Sequence, residues 1–156
     1  MQIRRIVAPT DFSEGANQAV AYAFALAHYV GATLVLLHAL DPSTLALEGP
    51  LSSGEGALLL QNTMRQARFE LAQLLPEGQE ATVEVTRQVV VGTPARTIVE
   101  VAAAEHADLI VMATHGRTGL DHMVLGSVAE RVLRTAPCSV LTLRPTAATA
   151  CRAGHT

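Results

Sequence analysis

A parallel α/β sheet, open at both edges and covered by helices on both faces, is the architecture this sequence predicts. Short apolar runs alternate with helical patterns along the chain in the order βαβαβαβαβ, and such alternation implies right-handed crossovers and parallel pairing. Several of the runs are apolar throughout, as strands buried on both faces are. The composition, 49% hydrophobic but only 3% aromatic, suits Ala-rich helices packed on an aliphatic sheet. At 156 residues the chain is long enough to bury one proper core.

Each element follows from its own signals. Ile3 to Ala8 reads as the first strand, stopped by Pro9. Ser13 caps a helix whose apolar residues (Ala16, Ala19, Val20, Ala23, Ala27 and Val30) recur at helical spacing, and Gly31 closes it. Thr33 to Leu40 is the second strand. Asp41 to Gly56, rich in Pro, Ser and Gly, reads as an irregular connection. Segments of that length are uncommon inside compact domains; a lid over a site and a plain surface excursion both remain open readings. A helix over Ala57 to Leu75 follows, ended by Pro76-Glu-Gly78, and the alternating, β-branched Thr82 to Val91 is the third strand. Thr93 as N-cap and Pro94 at the first helical position start a helix running to His106. Asp108 to Ala113 is the fourth strand. Ser127 and Glu130 stand at capping-box spacing and open a helix to Thr135, which Pro137 breaks; Ser139 to Leu143 is the fifth strand. Residues 1–145 are expected to form the domain, and 146–156, small and polar, a disordered tail.

Composition also excludes functions. A formal net charge of −3 gives no basic field to attract nucleic acid or anionic lipid, and few aromatics argue against stacking single strands. No apolar run approaches the roughly 20 residues of a membrane span. The N-terminal Met-Gln-Ile-Arg-Arg-Ile lacks the apolar core of a signal peptide, and Cys138 and Cys151 suggest no disulfide framework. A cytoplasmic location is therefore expected. The histidines are scattered and include no i, i+4 pair, so no metal site is assigned. No Gly-x-Ser-x-Gly elbow occurs, and no catalytic residue is assigned.

What remains points to a ligand at the carboxyl ends of the strands, the place where open α/β sheets bind. Met112-Ala-Thr-His-Gly-Arg-Thr-Gly-Leu runs from a strand into a glycine-containing loop, and Leu125-Gly-Ser-Val-Ala-Glu130 opens the next helix. Gly116 and Gly126 thus frame a step ending at a helix N-terminus, where backbone N–H groups and the dipole favour an anion. Two readings of Ser127 stay open: N–H groups of Gly126, Ser127 and Val128 with the Ser127 hydroxyl on phosphate, or Ser127 as an ordinary N-cap bonded back by Glu130. Arg117 pairs with phosphate or is a solvated loop charge. Asp11 accepts from a ribose hydroxyl or an adenine amino group, or it caps the first helix. His115 is the histidine best placed for chemistry.

Four blocks carry a family likeness: Ile6-Val-Ala-Pro-Thr-Asp-Phe-Ser13; Leu34-Val-Leu-Leu-His-Ala39; Val91-Gly-Thr-Pro94; and Ala107-Asp-Leu-Ile-Val-Met-Ala-Thr-His-Gly-Arg-Thr-Gly119 with Leu125-Gly-Ser-Val128 and Ala136-Pro-Cys-Ser-Val140. In this order and spacing they resemble the universal stress protein family over residues 1–145. The resemblance implies an open five-stranded parallel sheet of the Rossmann-like, adenine nucleotide alpha hydrolase-like type, with strand order 3-2-1-4-5. It implies, in one branch, bound ATP with Mg²⁺ or Mn²⁺. That branch carries Gly, two residues, Gly, nine residues, then Gly-Ser/Thr; Gly116, Gly126 and Ser127 match, whereas Ala113 replaces the first glycine. If that position needs positive φ, Ala strains it; if it needs only a small side chain, Ala serves. By the same resemblance, Pro9, Thr10 and Asp11 line the adenosine pocket, Ala39 flanks adenine and Met112 packs on the ring. Gly116, Gly126, Ser127 and Val128 hold the phosphates, with His115 and Arg117 near. A homodimer through the last strand, Val140 to Leu143, is also implied, and an exposed sheet edge there agrees with it.

The expected function is a nucleotide-dependent stress-response regulator with slow or no ATP hydrolysis. A nucleotide-free homodimeric module of the same fold is the alternative. An ATP-consuming enzyme stands further off, because Pro9-Thr-Asp-Phe-Ser13 is neither a His-x-Gly-His nor a Ser-Gly-Gly-rich signature.

Overall fold

The computed structural model describes residues 2–46, 54–75, 82–114 and 125–144. In them, β1 (Arg5–Pro9), α1 (Glu14–Val30), β2 (Thr33–Leu40), α2 (Pro42–Ala46), α3 (Gly54–Gln73), β3 (Val85–Val91), α4 (Pro94–Ala104), β4 (Leu109–Ala113), α5 (Ser127–Thr135) and β5 (Ser139–Leu143) follow one another. The sheet is five-stranded in the order β3-β2-β1-β4-β5, and every pairing is parallel. The chain builds outward from β1 to β3, then returns to lay β4 on the other side of β1. Strand order therefore reverses between β1 and β4.

Two cores lie on the two faces. On one, α1 and α3 bring Val20, Ala23, Ala27 and Leu71 against Ile6, Leu34, Leu36 and Val111. On the other, α4 and α5 bring Ile98, Ala102, Ala129 and Val132 against Val7, Val35, Leu37 and Ile110. Full burial of each Val, Leu or Ile side chain among them contributes about 1.5–3 kcal/mol, and each alanine methyl less. The alanines of α1 leave little side chain between helix and sheet, so the helix backbone lies close to the strands.

Ser13 and Gly31 cap α1 as their residue types require. The Ser13 hydroxyl accepts from the Ala16 N–H at 3.3 Å, and Gly31, at φ 71°, ends the helix in the left-handed region. Boundaries elsewhere depart from expectation. Pairing of β1 starts at Arg5 rather than Ile3, because the N–H groups of Arg4 and Arg5 donate to Asp108 Oδ2 at 2.8 and 3.0 Å. The part of Asp41 to Gly56 expected to be irregular contains α2, nucleated where Asp41 Oδ1 accepts from the Ser43 N–H at 2.9 Å and Pro42 supplies a helical φ. Residues 47–53, Pro76-Glu-Gly78 and the expected tail lie outside the described residues. The helix expected to reach His106 stops at Ala104, and His106 turns to φ 51°.

The start of α5 needs a correction of one residue. Gly126, not Ser127, is the N-cap, and Ser127 is the first helical residue. The capping box is not formed: the Glu130 carboxylate accepts instead from Arg134 one turn on, at 3.0 Å. The i, i+4 pair on the exposed face wins because Glu130 stands at the fourth helical position, past the reach of a reciprocal cap.

Candidate functional site

The carboxyl ends of β1 and β4 meet the N-terminus of α5 around a cavity of about 300 Å³, within the size range of small-ligand pockets. It sits at the reversal of strand order, as the sheet topology requires.

The β1 side is built by a tight turn. After Pro9, the Thr10 N–H still donates to the Leu37 carbonyl at 2.8 Å, extending the β1–β2 ladder by one bond. The chain then reverses within three residues. The Thr10 hydroxyl accepts from the Phe12 N–H at 2.9 Å, and Asp11 Oδ1 accepts from the Ser13 N–H at 3.0 Å. Phe12 takes a left-handed conformation, φ 64°, which costs a bulky residue about 1–2 kcal/mol. Its ring stacks on His38, centroids 4.5 Å apart. Ser13, not Asp11, caps the helix; Asp11 shapes the turn and lines the cavity.

The β4 side is tied to α5. Thr114 continues its strand, donating to the Leu143 carbonyl at 2.8 Å, and its own carbonyl accepts from the Gly126 N–H at 2.7 Å. That short bond sets the head of α5 beside the strand end. It also commits the Gly126 N–H, expected among the phosphate donors, to the protein. The first-turn amides that follow, of Ser127, Val128 and Ala129, have no carbonyl within the helix to bind. Ser127 is not the cap, so its hydroxyl is not engaged in capping.

Nine of the expected site residues line this one cavity: Pro9, Thr10 and Asp11 after β1, Ala39 on β2, Met112 and Ala113 on β4, and Gly126, Ser127 and Val128 at the head of α5. His115, Gly116 and Arg117 lie outside the described residues. Ala113 is extended strand, paired with Leu143, and positive φ among non-glycines is confined to Phe12 and His106 in the described chain. Alanine is therefore not strained by φ at this position. Sequence reading missed Ala16, Pro94, Ile98, Thr114 and Ala129. The Val91-Gly-Thr-Pro94 block was the available signal for the α4 pair; no periodicity marks the others as facing a cavity rather than a core.

Chemically the lining is two-ended. Apolar Pro9, Ala39, Ile98 and Met112 suit a flat ring, the Asp11 carboxylate accepts from hydroxyl or amino donors, and the α5 terminus favours negative charge. No three His, Cys, Asp or Glu side chains among the described residues gather to hold a metal ion, and no helix among them is long and apolar enough to cross a membrane.

Comparison with known proteins agrees with the architecture. Universal stress protein MJ0531 of Methanocaldococcus jannaschii is 34% identical over 141 residues, 90% of this chain and 82% of that protein. The solved structure of MJ0577, from the same organism, superposes with a TM-score of 0.82 at 29% identity, covering 94% of this chain and 99% of the other. A universal stress protein from Archaeoglobus fulgidus in complex with dAMP shares the fold, with a TM-score of 0.57 at 22% identity over 91% and 98% of the two chains. The profile of the universal stress protein family matches residues 2–144, and the chain belongs to that family.

Proposed function

We propose that this universal stress protein binds ATP at the carboxyl ends of β1, β2 and β4 and acts as a nucleotide-dependent stress-response regulator with slow or no hydrolysis. The observation that carries the reading is the meeting, at one apolar cavity, of the Asp11 turn and the head of α5. A nucleotide needs both: an acceptor for ribose or adenine at one end, and clustered N–H donors for phosphate at the other. Ala113 is extended strand rather than a positive-φ position, which is compatible with alanine standing where the pattern has glycine. A family relative of the same fold has been solved with dAMP, which supports the adenine preference. Pro9, Thr10, Asp11, Ala39, Met112 and Ala113 are assigned to the nucleoside. Gly126, Ser127 and Val128 are assigned to the phosphates, the amides of Ser127 and Val128 as donors and Gly126 for close approach, with His115, Gly116 and Arg117 completing them. Mg²⁺ or Mn²⁺ would neutralise the triphosphate. A cytoplasmic homodimer is the assembly this reading adopts.

Calorimetry and thermal unfolding with ATP test it. Ligand at a hundredfold over Kd stabilises by about 2.7 kcal/mol, a rise in Tm of about 5–10 °C for a chain of this length. Gly126→Val should keep the fold and weaken binding by about a hundredfold, the loss of two charge-assisted hydrogen bonds. Wild-type protein that shows neither heat nor thermal protection with ATP removes the nucleotide reading.

A further inference from the structure

The geometry points to His38 as a positioning residue: from the opposite face of the sheet it holds the Thr10-Asp11-Phe12 turn in the shape that presents Asp11 to the cavity. The inference rests on the nucleotide reading for its functional consequence, but its structural half stands on the turn alone.

His38 and Ala39 are consecutive in β2, so their side chains leave opposite faces. Ala39 lines the cavity. His38 is 9% exposed on the other face, where its Nδ1 lies 2.9 Å from the Thr10 carbonyl. A carbonyl only accepts, so Nδ1 carries the proton and donates. Thr10 is thereby fastened to β2 twice, by its N–H to the Leu37 carbonyl and by its carbonyl to His38. The same imidazole stacks on Phe12, with rings inclined by 30°, so one side chain grips both residues flanking Asp11. Phe12 is where the grip matters. A left-handed phenylalanine relaxes toward negative φ unless something holds it, and that relaxation would swing the Asp11–Phe12 peptide and release the bonds at Phe12 and Ser13. Apolar packing alone would fill the space under Phe12 but would leave the Thr10 carbonyl without this donor.

His38→Phe keeps a ring against Phe12 and removes the donor; His38→Asn keeps a donor at the Nδ1 position and removes the ring. In the nucleotide-free protein, amide hydrogen exchange of Phe12 and Ser13 reads the turn directly. His38→Phe is expected to speed both by about tenfold, and His38→Asn to restore most of the protection. With ATP, His38→Phe should weaken binding by about tenfold, and in an Asp11→Ala background the same substitution should change it by less than about twofold, because the effect travels through Asp11. Unchanged Phe12 and Ser13 exchange in both variants, each folded by circular dichroism, overturns the positioning whatever the protein binds. An affinity loss that persists in full without Asp11 overturns the route to the site. Failure of the wild-type chain to bind ATP removes the nucleotide reading instead, and leaves the exchange result to decide the turn.

Discussion

At the scale of single residues, space decides what backbone freedom does not. Gly92 follows β3, and a Cβ built there would stand 2.5 Å from the Thr97 hydroxyl oxygen in α4, closer than real Cβ contacts allow. Thr97 is buried, so it has little room to yield. Gly92→Ala is therefore expected to cost about 1–3 kcal/mol, read as a lower Tm, and Thr97→Ala in the same chain should recover part of it through non-additivity. Gly54, at the start of α3, has nothing within 4 Å of such a Cβ; Gly54→Ala should be neutral or stabilising by up to about 1 kcal/mol. A loss at Gly54 equal to that at Gly92 would show that the contact with Thr97 does not govern the cost. This also marks what a sequence can disclose. The need for glycine at Gly31 is local, written in a helix end at φ 71°, and was readable. The need at Gly92 arises where the first turn of α4 brings the Thr97 side chain onto it, which residue type and spacing alone do not disclose. The same distinction separates Pro9, Thr10 and Asp11, recognised from their place at a strand end, from Phe12 and His38. Their partnership, between the turn after β1 and a residue of β2, had no signature in spacing.

Among the elements, helices and strands were legible where one strong residue ends them and illegible where a distant group does. Ser13 and Gly31 set the ends of α1 from within. The first pairing residue of β1 is set instead from just ahead of β4, by Asp108, which accepts from two successive amides of the incoming chain and donates its own N–H to the Arg5 carbonyl at 3.0 Å. The head of α5 is likewise set by the Thr114 carbonyl, which draws in the Gly126 N–H and moves the cap one residue ahead of the serine that sequence favours. The Asp108 staple has a pH signature. Hydrogen bonds from the Arg4 and Arg5 amides hold its carboxyl below the ordinary carboxylate value. A group depressed in the folded state stabilises fully above its unfolded pKa of about 3.9 and loses that contribution as pH falls through the lower, folded value. Wild-type stability should thus fall on acidification below about pH 4 more steeply than that of Asp108→Asn, which keeps an acceptor without a titrating charge. Thermal unfolding across that window checks it, and parallel slopes would assign the acid sensitivity to other carboxylates.

For the molecule as a whole, the question left by an open sheet is what becomes of its edges. The order β3-β2-β1-β4-β5 leaves β3 and β5 outermost, and an outer strand carries unpaired backbone groups able to recruit another chain. β5 is short and presents Val140, Leu141 and Leu143 only partly buried, a composition that gains by being covered. Its two sets of backbone groups can be told apart. The Leu143 carbonyl accepts from the Thr114 N–H, so Leu143, and by alternation Leu141, face β4 with their peptide groups, whereas Val140 and Thr142 direct theirs outward. Thr142→Pro therefore deletes an outward N–H while sparing the β4 ladder, a change that an edge strand tolerates. If the homodimer forms through β5, sedimentation equilibrium should find the wild type dimeric and Thr142→Pro shifted toward monomer, with helix content and the β4–β5 amides near Leu141 and Leu143 still protected. A Thr142→Pro protein that stays as dimeric as the wild type would place the interface elsewhere on the surface. A wild type that is monomeric would leave β5 a tolerated bare edge, and its brevity would then be the feature that keeps it from pairing.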